Sequence, residues 1–138
     1  MKMIPFEHWH FQHLDLQEAQ KDVELTHEYA GDLLDAGPCY TFSHGPVIMA
    51  CAGVQEVWPG RVVGWALVSR FAANHMVGLT RAVRQWIDAQ DYRRFELTVP
   101  HGWEPGAKWA RLLGFEHEAT LRSFSPSGRD MDQFVRVA

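Results

Sequence analysis

The sequence predicts an α/β (α+β) fold in one domain spanning residues 1–138: a mixed sheet with helices on both faces. Three observations carry that prediction. The chain has 138 residues, the length of one ordinary domain. Its residues are 46% hydrophobic and 22% charged, the balance of a chain that buries a core. Its apolar spacing switches repeatedly between the helical and the extended period, in the order β-α-α-β-β-β-α-β-α-β-β.

Met3 to Leu16 mixes Ile4, Phe6, Trp9, Phe11 and Leu14 with His8, His10 and His13, and reads as a short strand and a helix start. Asp15, with Glu18 three residues on, has the form of a capping box. From Leu16 to Asp35, Ala19, Val23, Leu25, Tyr29, Ala30, Leu33 and Leu34 recur at threes and fours. Gly31 divides this stretch into two predicted helices, and Gly37-Pro38 ends it. Cys39 to Ser43, Val47 to Val54 and Arg61 to Arg70 are extended. Their connectors, His44-Gly45-Pro46 and Trp58-Pro59-Gly60, are turn chemistry, so they predict an antiparallel meander. Met76 to Gln90 is the clearest helix, with Val77, Leu79, Val83, Trp86 and Ile87 on one face. Tyr92 to Pro100 alternates Phe95, Leu97 and Val99 against Arg94, Glu96 and Thr98, as a strand does. Glu104 to Leu113 is a short helix stopped by Gly114. Glu118 to Phe124 and Gln133 to Val137 read as a closing hairpin. The crossover from Arg61–Arg70 to Tyr92–Pro100 is parallel and right-handed by the general rule.

The net charge of −4 argues against nucleic acid and against an acidic membrane as partners. Arg81, Arg84, Arg93 and Arg94 still form a local basic patch: a solvated face, a phosphate or adenine-ribose site, or a nucleic-acid or partner surface. Cys39 and Cys51 sit in apolar strands and read as buried free thiols. The opening residues lack the apolar run of a signal peptide, and nothing approaches the ~20 apolar residues that span a bilayer. A soluble, cytoplasmic protein is the expectation. His8 and His10 would share a face of a strand, but no third metal ligand accompanies them, which favours ordinary hydrogen-bonded histidines. Trp65 and Trp86 fall on core faces; Trp58 and Trp103, near turns, suit a cleft or an interface. Ser43 and His44 point apart on a strand, so they make no triad with Asp130.

Several segments carry a family resemblance. Gly64-Trp65-Ala66-Leu67-Val68 and Arg94-Phe95-Glu96-Leu97-Thr98-Val99 resemble the fourth and fifth strands of the GNAT N-acetyltransferase fold. Ala107 to Phe115 resembles its A-x-x-x-x-x-x-G-F helix end, Glu116 to Arg122 its sixth strand, and Gly128-Arg129-Asp130 the turn to its seventh. The whole resembles the GNAT-like proteins encoded in phage genomes. The resemblance implies that the fourth and fifth strands run parallel and splay at their C-terminal ends. The pantetheine arm of acetyl-CoA would pair along that edge, with its pyrophosphate on the N-terminus of the next helix. The implied function is acetyl transfer from acetyl-CoA to a small-molecule or protein amine. Val68 and Ser69 would hold the thioester arm. Asn74, His75, Met76, Val77 and Gly78 would take the pyrophosphate, with Arg70, His75 and Arg81 adding charge. Glu96 would be the base, acting through water.

The sequence departs from the family pattern at three places. The stretch Ser69 to Gly78 has one glycine where the family has Arg/Gln-x-x-Gly-x-Gly/Ala. Ala110 stands where a tyrosine often protonates the leaving thiolate, and Glu104 where an asparagine often lies. Arg61 to Arg70 contains no carboxylate. These departures set up the alternative: a catalytically inactive GNAT-fold phage protein with a structural, virion-associated or partner-binding role, in the virion or the host cytoplasm. A homo-oligomer stays open under both readings.

Overall fold

A computed structural model describes residues 1–138. Strand β1 (Lys2–Pro5) leads through two short 3-10 segments, His8–His13 and Glu18–Gln20, to helix α1 (His27–Ala36). The chain then enters the expected meander of β2 (Cys39–His44), β3 (Val47–Trp58) and β4 (Arg61–Val68), all antiparallel, with β1 on the outer edge of β2. Gly60, at φ 92, makes the turn between β3 and β4 in a conformation that a Cβ resists. A 3-10 segment, Arg70–His75, precedes α2 (Met76–Asp88), which carries the chain to β5 (Arg94–Pro100), parallel to β4. Helix α3 (Glu104–Leu112) follows, then β6 (Glu116–Leu121) and β7 (Met131–Val137). The hairpin turns back so that β7 inserts beside β5, giving the sheet order β1-β2-β3-β4-β5-β7-β6.

Alternation sorts the strand residues between two faces. Val62, Val68, Phe95 and Val99 pack with Leu79, Val83 and Ile87 of α2 and with Ala110 and Leu113 beside them. Leu67, Cys51 and Ile48 pack on the other face with Phe6, Phe11, Leu14 and the α1 residues Ala30 and Leu33. His10 is buried there too. Its Nδ1 accepts from the Glu7 N–H at 3.0 Å and lies 2.7 Å from Thr41 Oγ1, and burial lowers its pKa. Cys39 and Cys51 are free and buried, and burial pushes the Cys51 thiol up to about 12.

The one large departure from the expected order lies between Leu16 and Asp35, where a single α-helix replaces the two expected. Its N-cap is Thr26, whose Oγ1 accepts from the Tyr29 N–H at 3.0 Å, and Gly31 sits inside it without a break. Asp15 caps nothing; its carboxylate pairs with Arg70. The reason is tertiary. The Gln17 N–H donates to the Val68 carbonyl at 2.9 Å, and the Asp15 carbonyl accepts from the Arg70 N–H at 2.8 Å. That backbone is spent on the end of β4, so it cannot close a helical turn. Strand β4 ends at Val68, short of the expected Arg70, because the Ser69 hydroxyl accepts from the Phe71 N–H at 3.1 Å and starts the 3-10 segment.

Candidate functional site

Strands β4 and β5 share only three ladder pairs, Arg61 with Arg94, Val62 with Phe95 and Val63 with Glu96. Beyond them β4 stays bound to β3 as far as Val68, while β5 stays bound to β7 as far as Pro100. The parallel pair therefore opens into a V. Gly64 stands where the opening begins. A Cβ there would lie 2.8 Å from Cε1 of Phe95, so the missing side chain leaves room for that ring beside β4.

The open edge of β4 is partnered by a side chain. Gln20 Nε2 donates to the Ala66 carbonyl at 2.8 Å, and Gln20 Oε1 accepts from the Val68 N–H at 2.9 Å. A carboxamide thus takes the place that the N–H and C=O of one residue in a continued ladder would fill. Gln17 Nε2 steadies it by donating to Gln20 Oε1 at 3.2 Å.

A cavity of about 630 Å³ occupies the V. Its walls come from both faces of the sheet: Ala66, Val68, Phe95 and Leu97 from one, Trp65 and Thr98 from the other. It therefore passes between the strands. Trp86, Trp103 and Trp109 close it on the side of α2 and α3. Gly106 is needed for that wall, because a Cβ would lie 2.5 Å from the Trp103 ring. Trp109 Nε1 donates to Thr80 Oγ1 at 2.9 Å. The Trp65 indole N–H is buried and meets no acceptor in the protein. Most of the polar lining, Gln17, Glu18, Gln20, Ser69 and Arg70, gathers at the C-terminal end of β4.

Of the residues expected to bind the cofactor, Val68, Ser69, Arg70 and Met76 line this cavity. The Ser69 hydroxyl is already engaged, and Arg70 pairs with Asp15 and lies over the Phe71 ring at 4.5 Å. Asn74, His75, Val77, Gly78 and Arg81 lie outside it. The His75 ring sits 4.4 Å from that of His44, and Val77 and Arg81 border a shallow depression on α2 with Thr80 and Arg84. Glu96 lies at the closed end of the V and does not line the cavity. Arg61 grips it, with Nη2 2.8 Å from Oε1 and Nε 3.1 Å from Oε2, and Arg94 donates to it as well. The hydrogen bonds from Arg61, then those from Arg94, hold its carboxyl below the usual carboxylate range. A carboxylate so held is a weak proton acceptor. Arg94 also binds Glu118, which takes a further hydrogen bond from Gln133.

Of the two tryptophans expected at a cleft or an interface, Trp103 lines the cavity, whereas Trp58 is exposed outside it with Arg61 over its ring. Gln20, Trp65 and Trp109 were not read as site residues, and no local pattern marks Gln20. Ala110 is buried in the cavity wall, where it offers no proton donor. No three His, Cys, Asp or Glu side chains converge to hold a metal. No helix is long and apolar enough to cross a membrane.

No family model and no curated protein sequence matches this chain. Solved structures do match its fold. Ard1 from Thermoplasma volcanium superposes with a TM-score of 0.81 at 12% identity, over 99% of this chain and 97% of that one. A GNAT-family acetyltransferase from Bacillus anthracis gives 0.72 at 9% identity, over 98% and 93%. RimL, a ribosomal-protein acetyltransferase solved in complex with coenzyme A, gives 0.70 at 12% identity, over 98% and 92%. The mixed seven-stranded sheet with its splayed central pair is the GNAT fold. At these identities the likeness establishes architecture, and the chemistry has to be argued from the notch itself.

Proposed function

We propose that the chain is a GNAT-like acyltransferase that binds an acyl-CoA thioester in the V between β4 and β5 and passes the acyl group to an amine. The observation that carries this reading is the edge of β4. The Ala66 carbonyl and the Val68 N–H present an acceptor and a donor on one edge, as to the N–H and C=O of a residue in a neighbouring strand, and the Gln20 carboxamide already bridges them. A trans amide turns its N–H and C=O to opposite sides, so successive amides of the pantetheine arm, one giving the N–H and the next the C=O, would displace the glutamine side chain and add to the edge as a strand does. In the reaction the amine nitrogen attacks the thioester carbonyl carbon. The new C–N bond forms as the C–S bond breaks, the electron pair leaves with sulfur, and the surplus amine proton goes to water. Positioning supplies most of the acceleration, and Glu18 is the one carboxylate in the cavity lining that could take up the proton. Acetyl-CoA is the simplest donor, and a small-molecule or protein amine is the acceptor.

The test is the melting midpoint against acetyl-CoA concentration. A ligand at 100 times its Kd adds about 2.7 kcal/mol to the folded state, so the midpoint should climb. No movement at millimolar concentration with either acetyl-CoA or a longer-chain acyl-CoA overturns the proposal. Gly78→Asp locates the pyrophosphate. The nearest atoms to a Cβ there belong to Met1 at 3.9 Å, so the variant folds, and its carboxylate should weaken binding about tenfold by repulsion at the helix start. Unchanged affinity moves the pyrophosphate elsewhere. A second reading, binding without turnover, is favoured by the sequestered Glu96 and by Ala110. Ligand-dependent melting with no acyl-amine product would select it.

A further inference from the structure

We propose that the cavity holds a fatty acyl chain, so that the donor is a medium- or long-chain acyl thioester and not acetyl; this rests on the acyltransfer reading above. An acetyl group needs only the mouth of the V. The cavity is far larger, about 630 Å³, within the range of sites that enclose a whole organic ligand. It is also long. Its lining runs from Tyr40 on β2 to Met131 on β7, four inter-strand spacings apart in the sheet, or about 19 Å.

Its chemistry is divided in the same sense as an acyl thioester. Polar groups collect at the C-terminal end of β4, where Gln20 occupies the amide position. Away from that end the slot is walled by apolar and aromatic side chains such as Trp86, Trp109 and Phe115, with no charged group among those of α2 and α3. The Trp65 N–H is the one orphaned donor in the lining, and a buried unpaired donor is costly. A thioester carbonyl oxygen would accept from it, anchoring the head of the chain while the methylenes lie in the slot. Transfer then balances as for acetyl: the acyl C–S bond breaks, the acyl C–N bond forms, and the product is a fatty amide with a free thiol.

The experiment follows intrinsic tryptophan fluorescence, since four tryptophans line the slot, on titration with acetyl-, octanoyl- and dodecanoyl-CoA and with the matching free acids. Affinity for the thioesters should rise about fourfold per added methylene until the slot is full. Equal affinity for all three thioesters overturns the proposal and leaves acetyl transfer standing. Chain-dependent binding of the free acids with no binding of any thioester supports the slot and overturns the coenzyme A reading. No binding of either overturns both. Ala110→Leu projects into the slot and should weaken dodecanoyl-CoA by about tenfold or more while acetyl-CoA changes by less than about threefold. Its melting curve is checked first, and Leu97→Trp, on a half-buried part of the wall, repeats the test if that variant is unfolded. Equal weakening of both donors counts against the slot.

Discussion

At the closed end of the β4–β5 pair, three ladder rungs and a carboxylate shared by two guanidiniums tie the strands together. At the open end no rung joins them, the lining is largely apolar, and the edge of β4 is met by the Gln20 amide. The buried charge of the closed end is fully paired, and most of the unpaired stretch is apolar, as the cost of burying unsatisfied polar groups requires. The closed end is a clamp that permits the open end to be empty. Stability should therefore be concentrated at one end of the pair and binding at the other.

Glu96→Gln tests the clamp hardest. It leaves Arg61 and Arg94 facing a side chain that cannot neutralise them, and the Glu96 side chain is 6% exposed. Because both guanidiniums keep some contact with solvent, the loss should fall at the low end for a broken buried pair, about 3 kcal/mol, or roughly 10 °C in melting midpoint. Affinity for acyl-CoA measured by calorimetry should stay within about twofold. A variant that melts normally but cannot transfer acyl groups would make Glu96 a base after all.

Gly64→Val attacks the point where clamp gives way to notch. The new Cβ meets the Phe95 ring, itself packed edge-on against Phe115 and Tyr92, so the ring cannot retreat freely. Urea unfolding should show a loss of about 2 kcal/mol from overpacking. No loss would mean that the Phe95 ring gives way freely and that Gly64 is not required at this point.

Gln20→Ala sharpens the contrast, because its two effects should have opposite signs. Two part-buried hydrogen bonds to β4 disappear, costing about 1 kcal/mol of stability. The same edge becomes free for a ligand amide, so acyl-CoA should bind several-fold tighter, by roughly the free energy of the displaced contact. Weaker binding would make the glutamine part of the site and not its occupant.

The smallest effect is one of pH. Hydrogen bonds from Arg94, then from Gln133, hold Glu118 at about 2, against 4.5 for the free carboxyl. As pH falls below 4.5 the unfolded chain takes up this proton first, so the contribution is whole above that value and is lost on the way down to about 2. Melting midpoint against pH should be flatter across that window in Glu118→Gln than in the parent chain. Identical slopes would remove Glu118 from the clamp.

Reading the chain as a string reaches some parts of this picture and misses others. Helix α2 follows from the spacing of Leu79, Val83, Trp86 and Ile87, and all but its last two expected residues are helical; Val77, expected on the same face, is exposed. The alternation of Phe95, Leu97 and Val99 against Arg94, Glu96 and Thr98 gives the correct face of β5, with Phe95 and Val99 in the core. The same alternation placed Arg94 and Glu96 on one side, two residues apart, which was a signal for their ion pair. Arg61, thirty-five residues upstream, carried no such signal. The helical spacing from Leu16 to Asp35 misled because it counted side chains and not backbone partners. Gln17 and Gln20 bond to β4 residues that lie 46 to 51 positions away.

By itself the sequence determined the strands, turns and helices whose causes are local: period, glycine and proline placement, and caps acting within a few residues. It also determined the parallel β4–α2–β5 crossover, because a chain of this order has one favoured hand and direction. Where that pair stops pairing, what covers its edge, which carboxylate is sequestered and how deep the slot runs were decided by contacts across the sheet. Such contacts are fixed by the simultaneous burial of two cores, one on each face, and that condition exists only once the strands have met.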